Sequence, residues 1–133
     1  MGTMQRRKGQ RGERDLAEAL RAIGLPGQRS GQTCGYEGVP DVMTVPGVHI
    51  ECKFTEHLNL HDAMAQAEVD AMAGNVPVVC HRRNRSRWRL TVNLQDLPRL
   101  ATIVTQAKPA PSRPADPEQW SMSNGHEAHE SNG

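Results

Sequence analysis

The chain is poor in aromatic rings. Of its 133 residues only Tyr36, Phe54, Trp88 and Trp120 are aromatic, which is 3%. The interior must therefore be assembled from Val, Leu, Ile, Ala and Met, and stacking of unpaired bases on a row of rings is a poor fit. Hydrophobic residues make up 36% and mean hydropathy is −0.66, so the core has to be compact. No run approaches the roughly 18 apolar residues of a membrane helix. The Arg-rich N-terminus lacks the apolar segment of a secretory signal. Arg6 stands where myristoylation of Gly2 wants Ser or Thr. Three cysteines, Cys34, Cys52 and Cys80, lie far apart with no CxxC pair, which argues against a disulfide framework and against a structural zinc site. HExxH and Gly-x-Ser-x-Gly are both missing, so neither a zinc protease nor a serine nucleophile elbow is indicated. What remains is a cytoplasmic, non-membrane protein of one domain's length.

Charge is not scarce but it is unevenly placed. The net charge is only +1. Residues 1–35 hold seven Lys/Arg against three Asp/Glu, residues 36–80 hold one against seven, and residues 81–106 hold six against one. Two basic blocks therefore flank an acidic centre. Solvated surface charge alone produces such counts, yet a metal-dependent enzyme acting on nucleic acid has the same need: cations for phosphates beside carboxylates for metal.

From Ala107 onward the sequence turns to Pro, Ser, Gly and Asn with almost no aliphatic residue. Such a segment buries too little apolar surface to offset its ordering entropy, so 107–133 reads as a disordered tail and 1–106 as the folded domain. Within the domain, Leu16, Leu20 and Ile23 recur at helical spacing, predicting a helix over 11–24. Short strands are predicted at 28–32, 40–45, 48–54, 76–82 and 87–94. A second helix is predicted over 60–73, with Asn59 as its N-cap and Gly74 just past its end, and a third over 96–106. The order αβββαββα describes an α/β fold with a mixed sheet flanked by helices.

Three acidic positions stand out. Glu13 shares the helical arc of Leu16, Ala17 and Leu20, where a carboxylate is costly unless a metal or a Lys compensates it. A placement in the first helical turn, favoured by the helix dipole, is the plain alternative. Glu51 and Lys53 project together from one face of a strand whose other face, Val48, Ile50, Cys52 and Phe54, is apolar. His49 shares the Glu51 face and is placed to lie near a metal held there. Asp41 joins Glu51 only in one register. A two-residue Pro46-Gly47 loop sets Asp41 opposite Cys52, whereas a three-residue loop with Gly47 left-handed pairs Thr44 with Val48 and sets Asp41 beside Glu51. Pro-Gly suits the bulged turn better, which predicts the second register or a local kink at Asp41.

Gly38-Val39-Pro40-Asp41, then nine residues, then Glu51-Cys52-Lys53, resembles the signature of PD-(D/E)XK nucleases. Lys8-Gly9-x-x-x-Glu13-Arg14, Arg29-Ser30-Gly31 and Gln66-Ala67-Glu68 sharpen the likeness toward Holliday junction resolvases of the archaeal and phage type, across residues 8–94. The resemblance implies a restriction-endonuclease-like core. It implies an Mg²⁺-dependent endonuclease that hydrolyses phosphodiester bonds in branched DNA, acts as a homodimer with two sites, and works in a bacterial or phage-infected host cytoplasm. Flaps, nicks or linear duplex are the alternative substrates, and a non-catalytic DNA-binding module is the alternative of another class.

On this reading Asp41 and Glu51 ligate the metal, with the Cys52 carbonyl as a third donor and Glu13 toward a second ion. Lys53 stabilises charge at phosphorus or orients water, and Gln66 orients the site or positions Lys53. Mg²⁺ suits these oxygen donors and Mn²⁺ is expected to substitute. The basic flanks then hold duplex phosphates: Arg7, Lys8, Arg11, Arg14, Arg29 and Ser30 on one side, and Arg82, Arg83, Arg85 and Arg87 on the other.

Overall fold

The computed structural model describes residues 3–30 and 39–107. Helix α1 (Thr3–Ala22) leads into the two-residue strand β1 (Gln28–Arg29), β2 (Val42–Met43) and β3 (Val48–Phe54). Helix α2 (Leu60–Asp70), β4 (Val76–Arg82), β5 (Arg89–Val92), a single 3₁₀ turn (Leu94–Asp96) and α3 (Leu97–Gln106) complete the chain. The strands lie in the order β1-β2-β3-β4-β5. β3 and β4 run parallel, and every other neighbouring pair is antiparallel. A parallel pair needs a crossover, and α2 supplies it.

The expected order of elements is the observed one, and the differences are at the ends. α1 spans Thr3–Ala22 rather than 11–24. It runs through Gly9 and Gly12, each worth about 1 kcal/mol against helix, so packing overrides propensity here. The strands predicted at 28–32, 40–45 and 87–94 contract to Gln28–Arg29, Val42–Met43 and Arg89–Val92. α2 stops at Asp70 rather than at residue 73, and Gly74 (φ +93°) belongs instead to the turn closed by Asn75 N–H to Met72 C=O at 2.9 Å. The helix expected over 96–106 is preceded by the 3₁₀ turn and starts at Leu97. The tail 107–133 lies outside the described residues apart from Ala107, and the Gly31–Gly38 segment lies outside them entirely.

Strand alternation sorts the sheet into two faces. Val42, Ile50, Val76, Val78 and Cys80 pack with Leu16, Ala17 and Leu20 of α1 and Leu100 of α3. The opposite face sets Val79 against Ala63, Met64 and Ala67 of α2, whose small side chains bring that helix close to the sheet. Asn59 caps α2 through its side-chain oxygen, which accepts the Asp62 N–H at 3.1 Å.

Two close contacts fix the site's frame. A methyl at Gly12 would lie 2.7 Å from Phe54 Cβ, so only glycine lets α1 approach the end of β3 this closely. At the β2–β3 turn Gly47 has φ +99° and Val42 pairs with Ile50. That is the register of the bulged turn, and the pairing ends at Val42–Ile50, with the Asp41 N–H also turned to Ile50 C=O.

Candidate active site

The site is assembled where the β2–β3 hairpin opens. The ladder changes at Asp41. Its own N–H donates to Ile50 C=O at 3.1 Å, but the Cys52 N–H is taken by the Asp41 carboxylate (Oδ2) at 2.9 Å. A side chain has replaced a main-chain acceptor, which is the kink anticipated from the sequence. Ser30, the residue after β1, steadies this corner from the other side. The Ser30 N–H donates to Asp41 C=O at 3.2 Å, and the Ser30 hydroxyl donates to Pro40 C=O.

Glu13 reaches the same corner from α1. Its half-buried carboxylate accepts from Arg29 Nε at 3.1 Å. The compensation that a core-facing carboxylate requires is thus an arginine from β1 rather than a lysine. The Arg29 guanidinium, expected on DNA, is committed at least in part to Glu13.

Electrostatics show how closely these groups gather. The Asp41 carboxyl is pushed up from 3.8 to about 6, chiefly by burial. The hydrogen bond from Cys52 N–H opposes the rise, the charges of Glu51 and Glu13 add to it, and Lys53 opposes it. Three carboxylates and one ammonium therefore sense one another across elements that are distant in sequence. Repulsion among these carboxylates adds to the rise at Asp41, but among the described residues Asp41 and Glu13 are not part of the His49, Glu51 and Asp70 group whose ligand atoms lie within 4.8 Å of one another. The Cys52 thiol is pushed well above its ordinary range, first by burial and then by Asp41 and Glu13. It packs with the core as an inert side chain, while its backbone N–H holds Asp41.

Glu51 and His49 lie under α2, 6% and 1% exposed. The His49 ring (Nε2) lies 3.4 Å from Glu51 Oε1. Asp70, in the last turn of α2, completes a group in which one ligand atom from each of His49, Glu51 and Asp70 lies within 4.8 Å of the others. This group can hold a divalent cation. Sequence reasoning named His49 but missed Asp70. The available signal was its four-residue spacing from Gln66, for Gln66 Nε2 donates to Asp70 Oδ2 at 2.7 Å. Gln66 is exposed and touches the site through Asp70.

The basic residues divide into two kinds. Arg7, Lys8, Arg11 and Arg14 line a shallow cleft with Gln10 along α1. Arg83, Arg85 and Arg87 are exposed around the β4–β5 turn, where Arg85 adopts φ +60°. Arg82 is different. Its guanidinium lies over the rings of Phe54 (4.5 Å) and Trp88 (5.4 Å) and binds Asp15 at 2.5 Å. Phe54, expected in the core, is half-buried and also carries Lys8 (4.9 Å) and Arg11 (5.3 Å) on its ring. These cations are organised by an aromatic ring one residue beyond Lys53.

A mixed five-stranded sheet with helices on both faces is a restriction-endonuclease-like α/β fold. The chain is similar to the solved structure of Hjc, a Holliday junction resolvase from the archaeal hyperthermophile Archaeoglobus fulgidus. The TM-score is 0.50 at 28% sequence identity, covering 64% of this chain and 72% of that one. No protein-family model and no curated protein matches the chain.

Proposed function

We propose that the chain is a metal-dependent endonuclease that hydrolyses phosphodiester bonds in branched DNA, with a four-way junction as its substrate. The observation that carries this reading is that the Asp41 carboxylate, held by the Cys52 N–H at the end of the β2–β3 pairing, feels the charges of Glu51, Glu13 and Lys53. The likeness to a resolvase supports it, as do the PD-(D/E)XK pattern of Asp41, Glu51 and Lys53 and the two basic surfaces.

Asp41, Glu51 and the Cys52 carbonyl would hold Mg²⁺, and Glu13 would serve a second ion. When bound, Mg²⁺ supplies charge neutralisation at the attacked phosphate and an activated water. The chain's own residues do the rest. Cys52 N–H fixes the Asp41 carboxylate, and Arg29 fixes Glu13. Lys53 supplies positive charge where it builds up on the phosphate oxygens. Gln66 acts as a positioning residue through Asp70. Arg7, Lys8, Arg11 and Arg14 hold one stretch of duplex backbone, and Arg83, Arg85 and Arg87 hold another. Cutting two symmetric strands requires two such sites, which a homodimer provides.

The test is cleavage of a synthetic four-way junction in Mg²⁺, beside linear-duplex and flap controls, for wild type and Asp41→Ala. Paired symmetric nicks on the junction, lost in the variant, are expected. Cutting of flaps or duplex alone removes the junction assignment. Binding without cutting in Mg²⁺ or Mn²⁺ removes the enzyme.

A further inference from the structure

Glu51 faces two ways. Toward the hairpin corner it meets Asp41, and toward α2 it meets His49 and Asp70. The proposed nuclease chemistry takes its metal ligands from the first side and uses the second only through Gln66 and Asp70. The second side is unusual in its own right. An imidazole 1% exposed sits on the sheet face that α2 covers, and among the described residues Glu51 is the one hydrogen-bond partner shown for it. Burying an imidazole against a carboxylate is costly whether the pair is neutral or charged, because few other partners share the load.

We propose that His49, Glu51 and Asp70 form a second cation site, distinct from the Asp41 side and selective for Co²⁺ or Zn²⁺ over Mg²⁺. It shares Glu51 with the proposed nuclease site and so rests on that reading only for its functional consequence.

Geometry favours it. Ligands about 2.1 Å from a tetrahedral metal stand about 3.4 Å apart, taking the metal–nitrogen and metal–oxygen distances of zinc sites. The His49 Nε2–Glu51 Oε1 separation is 3.4 Å. Asp70 is the third ligand and needs only a small inward movement, since all three atoms already lie within 4.8 Å. Gln66 Nε2 donates to Asp70 Oδ2 at 2.7 Å, so the carboxylate is oriented before any ion arrives. Asp70 is only partly buried, which leaves a route for the ion and a position for water.

Selectivity follows from the donors. An imidazole nitrogen suits borderline transition metals, whereas Mg²⁺ prefers oxygen and keeps its waters. An ion here draws the Glu51 carboxylate toward α2 and away from Asp41. A transition metal at this second site is therefore expected to oppose Mg²⁺ at the first.

The experiment is a Co²⁺ titration of the full chain, followed by its visible d–d absorption, with Zn²⁺ and then Mg²⁺ as competitors. Wild type and Asp41→Asn are expected to take up Co²⁺ alike, to lose it to Zn²⁺ and to keep it in excess Mg²⁺. Asp70→Asn and His49→Gln are each expected to weaken Co²⁺ binding by about tenfold or more, the scale on which metal-site substitutions act. The 107–133 segment carries two further histidines, and a His126→Gln/His129→Gln chain is expected to bind as wild type. Folding of each variant is checked by thermal melting, and if His49→Gln does not fold, Asp70→Asn, on the rim, decides. Co²⁺ binding that is indifferent to Asp70→Asn overturns the proposal. So does binding lost in Asp41→Asn but kept in His49→Gln, and so does binding lost with the tail histidines. Failure of Mg²⁺-dependent junction cleavage, with the His49-dependent Co²⁺ band intact, removes the nuclease reading and leaves this site standing.

Discussion

The carboxylate of Asp41 takes the backbone N–H of Cys52 at 2.9 Å, occupying the place of a main-chain acceptor in the hairpin ladder. The contact ends regular pairing between β2 and β3 and points Asp41 at the strand that carries Glu51 and Lys53. Four expectations follow from the frame it sets.

The first concerns pH. Burial, with Glu51 and Glu13 nearby, lifts Asp41 from 3.8 to about 6. In a chelator the folded chain then keeps a proton between pH ~4 and ~6 that the unfolded chain releases. The stability this contributes is complete below about pH 4 and is lost as pH rises through about 6. The melting temperature of wild type relative to Asp41→Asn should therefore fall across that interval in EDTA. A difference that is flat or rising with pH contradicts the origin assigned to the shift.

Gly12→Ala tests the close approach of α1 to β3. The added methyl meets Phe54 Cβ at 2.7 Å, and both atoms sit near rigid backbone. Overpacking of this kind costs roughly 1–3 kcal/mol, against about 1 kcal/mol gained in helix propensity. Denaturant titration should show net destabilisation, whereas Gly9→Ala, with nothing within 4 Å, should be neutral or stabilising.

The basic residues should separate into two classes. Arg82→Ala removes the cation shared by Phe54, Trp88 and Asp15 and should cost about 1–2 kcal/mol of stability as well as DNA affinity. Arg83→Ala and Arg85→Ala are exposed and should leave stability unchanged. If each holds one phosphate, each should weaken duplex binding and reduce the slope of log K against log salt by about 0.9. Melting curves and a salt series of binding titrations distinguish the classes. Equal stability in Arg82→Ala and wild type would make Arg82 an ordinary surface cation.

The two thiols among the described residues should be quiet in the folded chain. Cys52 is pushed up by burial and by nearby carboxylates, and burial pushes Cys80 up to about 12. Neither forms the reactive thiolate near neutral pH. Mass-spectrometric mapping after mild thiol labelling should find Cys52 and Cys80 unmodified until denaturant is added. Rapid native labelling of Cys52 would place its side chain outside the core.

The local sequence determined much of this protein. Alternation along Val48–Phe54 separated an apolar face from His49, Glu51 and Lys53, because strand side chains alternate strictly. Pro46-Gly47 selected the turn, and the turn selected the register that pairs Val42 with Ile50, because a left-handed residue is cheap only at glycine. Asn59 marked the start of α2 through a bond made three residues away. The tertiary structure alone decided which charges meet. Arg29 rather than a lysine answers Glu13, Arg82 finds Asp15 67 residues away, and Asp70 comes to His49 and Glu51. Periodicity fixes the face on which a side chain lies, but choosing a partner depends on how helices seat on the sheet. That seating is set by contacts such as Gly12 on Phe54 and Ala67 of α2 in the cluster with Val79 of the sheet, where closeness of approach rather than residue pattern brings the charges together.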